Sequence, residues 1–102
     1  MTCEIVDRYV ETEIEYVLRN GEYMVSNNGS QIMYTRSKVV DYGSYTQECV
    51  VCLTLTKKNN RVYVKYESAL IEGSKIHYSY YVDNQPLKNS FLVHSVLETL
   101  NL

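Results

Sequence analysis

Two hydrophobic periods divide this chain, and they predict different elements. Over most of its length apolar and polar positions alternate, as on a half-buried strand. Thr12, Ile14, Tyr16 and Leu18 fall on one side, while Glu11, Glu13 and Glu15 fall on the other. Leu53-Thr54-Leu55-Thr56 and Arg61-Val62-Tyr63-Val64-Lys65-Tyr66 alternate in the same way. From Ser90 onward the period changes: Val93, Val96, Leu97 and Leu100 follow helical spacing, with Phe91 and Leu92 widening the stripe. Asn89 or Ser90 can cap that segment, and Pro86 stands at or before its start, which predicts a helix over 90–100. Residues 2–10 carry Cys3, Val6 and Val10, a spacing that fits helix and strand alike.

The alternating segments are joined by turn chemistry. Asn20-Gly21 and Asn59-Asn60 tolerate positive φ, which tight two-residue hairpins demand. A local repeat follows each turn: Gly29-Ser30-Gln31-Ile32-Met33-Tyr34-Thr35 matches Gly73-Ser74-Lys75-Ile76-His77-Tyr78-Ser79, and the copies close on Val40-Asp41 and Val82-Asp83. This ordered co-occurrence predicts an internal duplication, with repeats at approximately 11–41 and 53–83. The expected fold class is α+β: two tandem three-stranded antiparallel meanders, with the C-terminal helix packed on the sheet. A lone meander is marginal in water, so the copies are expected to pack together as one domain over 1–102. The length suits one core, and no Pro- or Ser-rich linker divides the chain.

Composition narrows the function classes. Apolar residues make up 45% and charged residues 22% of the chain, a globular balance, and eleven tyrosines stand against one phenylalanine and no tryptophan. A formal net charge of −2 supplies no global attraction to nucleic acid or anionic membrane. No apolar run approaches the length of a membrane-spanning helix, and Met1-Thr2-Cys3-Glu4 does not resemble a signal peptide, so an intracellular protein without membrane association is expected.

Candidate chemistry is sparse. Cys49-Val50-Val51-Cys52 has the spacing of a zinc or redox pair, but two valines favour an extended strand, which sends residues three apart to opposite faces. His77 and His94 lack a motif that would set a nucleophile beside them, and Glu11, Glu13, Glu15 and Glu22 match the wet face of a strand better than a cation site. No catalytic activity, metal or cofactor is therefore expected. The leading expectation is a protein–protein interaction module that binds an extended peptide segment at an edge strand or at the seam between the repeats. Ile32, Tyr34, Ile76 and Tyr78, at matching positions of the two copies, are the candidate contacts. The alternative is nucleic-acid binding through the basic hairpin tip 57–65, where Lys57, Lys58, Arg61 and Lys65 are interleaved with Tyr63 and Tyr66.

As a whole, the 102-residue chain, tyrosine-rich, lacking tryptophan and without a familiar motif, resembles the small orphan proteins of filamentous viruses of hyperthermophilic archaea, the Acidianus filamentous virus group in particular. That resemblance implies a protein acting in the host cytoplasm or in the virion. It assigns no functional residue.

Overall fold

The computed structural model describes residues 8–101, with Tyr78 and Ser79 described by their backbone alone. The order is helix α1 (Arg8–Asn20), strands β1 (Met24–Val25), β2 (Gln31–Asp41), β3 (Thr46–Lys58), β4 (Arg61–Glu72) and β5 (Lys75–Pro86), then helix α2 (Ser90–Leu100). The strands form one antiparallel sheet in sequential order, an uninterrupted meander. The α+β class, the antiparallel sheet and the C-terminal helix agree with the pattern in the sequence.

The tandem meanders do not form. Residues 11–18, expected to be the first strand of the first copy, lie inside α1. The segment carries a second period that the alternation hides: Val10, Ile14 and Val17 recur every three to four residues and are all buried, whereas Tyr16 is exposed. Glu, Leu and Arg are good helix formers and tip the balance. Asn20-Gly21 is accordingly the end of a helix rather than a hairpin turn. Gly21 adopts φ +70°, and its N–H donates to the Val17 carbonyl at 3.1 Å, which closes the last turn. The first unit is thus helix, two-residue strand and long strand, while the second is three long strands. The region from Thr2 to Asp7 lies outside the described residues, so the ambiguity over 2–10 resolves only for Arg8 to Val10, which are helical.

The second hairpin forms where turn chemistry predicts it. Asn59 and Asn60 take φ 53° and 62°, and Lys58 pairs with Arg61 across them. At the start of α2 the Asn89 Oδ1 accepts hydrogen bonds from the N–H groups of Phe91 at 3.1 Å and Leu92 at 3.3 Å. This helix buries Leu92, Val96 and Leu100, with Val93 and Leu97 partly buried, whereas Phe91 is 78% exposed and lies outside the stripe.

Register assigns side chains to two faces. Ile32 and Tyr34 of β2, Val51, Leu53 and Leu55 of β3, and Val62, Val64 and Tyr66 of β4 share the face covered by α1 and α2. The same face continues along β2 as Arg36, Lys38 and Val40, and along β3 as Cys49 and Gln47, where no buried residue remains. The core therefore occupies one half of the sheet. The other half projects beyond it: β2 from Thr35 onward, β3 from Thr46 to Val50, and the adjoining ends of β4 and β5. At about 3.3 Å per residue β3 alone extends roughly 40 Å, and the molecule measures 48 × 29 × 21 Å.

Candidate functional site

The four residues expected to line a partner groove are not brought together. Ile32 and Tyr34 sit in the core on β2 beneath the helices, while Ile76 lies on β5, across β3 and β4 from them. Ile32 is 0% exposed and Ile76 is 55% exposed, although both occupy the same place in the repeated heptapeptide. The side chain of Tyr78 lies outside the described residues. With a helix in place of the first copy's opening strand there is no seam between repeats, so the groove reading for Ile32 and Tyr34 is corrected: they are core residues.

The basic tip is divided between faces. Lys57 pairs with Val62 on the covered face, whereas Lys58, Arg61 and Lys65 point with Tyr63 to the open one. Lys65 lies 3.8 Å from Glu67, and Tyr66 is fully buried rather than available for stacking. Between this turn and α2 lies an open cleft of about 320 Å³, with Val62, Leu87 and Val93 as its floor and Arg61 and Lys88 at its rim.

Other candidate chemistry disperses. Cys49 faces the covered side and Cys52 the open side of β3, as a strand requires. His94 and Glu98 approach to 3.6 Å on the exposed side of α2. Glu11, Glu13 and Glu15 are on α1 rather than on a strand, with Glu22 following that helix, and Glu13 reaches Arg36 at 3.9 Å. Among the described residues no group of three or more His, Cys, Asp or Glu could hold a metal ion, and no helix is long and apolar enough to cross a membrane. Tyr66 packs edge-on to Tyr9 and Tyr80, with centroids at 6.1 and 5.8 Å, and its buried hydroxyl has no hydrogen-bond partner among the described residues. Burial foremost, then a polar contact of its hydroxyl with the Tyr9 side chain that falls short of hydrogen-bond geometry, and the Glu13 carboxylate, push its ionisation well above the ordinary range.

What the structure does assemble is an open sheet edge. β1 pairs only with Ile32 and Met33 of β2, so from Tyr34 to Asp41 the outer side of β2 has no neighbouring strand among the described residues. Its inner side is held without a register shift from Gln31↔Thr56 to Asp41↔Thr46. The opposite edge, β5, differs. Its pairing with β4 shifts twice, where Asp83 and Asn84 together face Lys65 and where Ser79 has no counterpart, and Asn84 adopts φ 53°. Direction along β2 follows from two hydrogen bonds. The Gln31 carbonyl accepts from the Ser26 N–H on the β1 side, and the Tyr42 N–H donates to Tyr45 on the hairpin side. Backbone groups alternate, so those of Thr35, Ser37, Val39 and Asp41 point outward from the sheet.

These edge residues were missed at the level of sequence, though a signal exists. Thr35-Arg36-Ser37-Lys38 has no apolar member in either phase, which marks a strand covered on neither face. No protein family model, curated protein or solved structure matches the chain.

Proposed function

We propose that this protein is an interaction module that receives an extended segment of a partner as an added strand along β2, from Thr35 to Asp41. The observation that supports this reading is an unshifted edge with no neighbouring strand among the described residues, beside a sheet half in which no residue of β2 or β3 is buried. Such an edge offers main-chain donors and acceptors in a straight row, the template used in strand addition. The contacts differ from those the sequence suggests: Thr35, Ser37 and Val39 supply backbone groups, and Ile32 and Tyr34 support them from the core. The reading requires no catalysis. Following the resemblance to archaeal viral proteins, the partner is a host or virion protein.

A library of ten-residue peptides displayed on a carrier tests the proposal. Proline at Ser37 removes an outward N–H and leaves the β2–β3 backbone ladder intact; it also removes the hydroxyl that donates to Glu48 of β3 at 3.1 Å, a loss that Ser37→Ala reproduces alone. Ser37→Pro should therefore keep the fold and lose the selected peptides, while Ser37→Ala should keep both. Peptides that bind wild-type and Ser37→Pro equally would refute strand addition at this edge. Nucleic-acid contact through Lys58, Arg61, Lys65 and Tyr63 is the second reading; Glu67 beside Lys65 weakens it.

A further inference from the structure

The side chains beside the open edge specify what can lie along it. Past Tyr34, the covered face of β2 presents Arg36 and then Lys38, both exposed and on the same side of the strand. Because Thr35, Ser37 and Val39 carry the outward backbone groups, an antiparallel strand added here would hydrogen-bond at those three positions. Arg36 and Lys38 then occupy the non-hydrogen-bonded sites, where facing side chains approach most closely. Opposite charges at such sites stabilise the pairing and like charges oppose it.

Both cations have capacity for an anion. Arg36 meets Glu13 at 3.9 Å with its side chain still 46% exposed, and a guanidinium has five N–H donors to share. Lys38 has no carboxylate within salt-bridge distance among the described residues. The same charges disfavour a second copy as the occupant. In the two antiparallel self-pairings with the longest overlap along this edge, Lys38 faces either itself or Arg36. On the opposite face the edge presents Ser37 and Val39, which suit a small or apolar neighbour.

We infer that the segment bound by β2 carries two carboxylates at alternate positions, facing Arg36 and Lys38, with an uncharged residue between them. This rests on the strand-addition reading and names the chemistry of its partner. Lysines on exposed edges also guard against self-association, and the experiment separates guarding from recognition.

Three ten-residue peptides alternating threonine with glutamate, glutamine or lysine serve as probes, with binding followed by amide shifts and hydrogen exchange of Thr35, Ser37 and Val39. The glutamate peptide should protect these amides and bind about five- to tenfold more tightly than the glutamine peptide. The double variant Arg36→Glu/Lys38→Glu, with the amide spectrum elsewhere unchanged, should reverse the order in favour of the lysine peptide. Equal binding of the glutamate and glutamine peptides, with the three amides protected by both, would overturn the charge assignment and leave strand addition standing. Protection by none of the peptides, or protection confined to β5, would overturn both. Concentration-dependent protection without peptide would show a second copy on the edge and overturn the assignment of an acidic partner.

Discussion

The two ends of β3 share one backbone and one ladder, yet they live in different surroundings. From Val51 to Leu55 every second side chain is buried under α1 and α2; from Thr46 to Val50 none is. The ladder to β2 runs through both ends without a shift. Hydrogen bonding is thus continuous while apolar burial is confined to one half. Since a net hydrogen bond contributes only about 1 kcal/mol and a buried leucine about 1.5–3 kcal/mol, the covered half holds most of the stability. The projecting half keeps its shape because its strands are continuous with those of the core.

That contrast is open to direct attack. The largest effect should come from Leu53→Ala, which leaves a cavity between Tyr34 and Tyr66 and should cost about 2–5 kcal/mol in urea unfolding. Asn89→Ala removes the cap of α2 and should cost about 1 kcal/mol; because that helix covers only one half, hydrogen exchange should rise in the covered half. Tyr66→Phe deletes a buried hydroxyl without a partner among the described residues and should be neutral or stabilising by up to about 1 kcal/mol. Its pH dependence sharpens the point. A phenol whose folded pKa is raised contributes its full stability below the unfolded value of 10.0 and loses it as pH rises beyond. Alkaline destabilisation should therefore be smaller in Tyr66→Phe than in wild type, and an equal loss would place the hydroxyl in contact with water. Ile76→Ala, on the projecting half, should change stability by less than about 0.5 kcal/mol. A loss as large as that of Leu53→Ala would show a second core.

Much of this division can be read from residues, and the misreadings have physical causes. The second helix, its cap and the Asn59-Asn60 hairpin follow from one local signal each, because helical period, side-chain capping and positive φ need no tertiary information. The first helix does not. Ile14, Tyr16 and Leu18 alternate, but Val10, Ile14 and Val17 also make a helical stripe, and only the sheet beneath decides between them. Asn20-Gly21 is ambiguous for a related reason: a hairpin and a helix terminus both need a residue at positive φ. The heptapeptide repeat is real as sequence and still misleads. Ile32 lies within the core and Ile76 outside it, so identical letters receive opposite burial. Thr35-Arg36-Ser37-Lys38 reads in the sequence as uncovered on both faces, but that this stretch is also an edge is legible only once the shortness of β1 is known.

The unlike edges of the sheet bear on growth. For a sheet to extend copy upon copy into a filament, each molecule must present two edges able to template, one to join and one to be joined. Here β2 is straight, but β5 is interrupted at Ser79 and again at Asp83-Asn84. A strand added to β2, as proposed, would therefore find no matching template on β5, and binding at that edge would not by itself lead to growth.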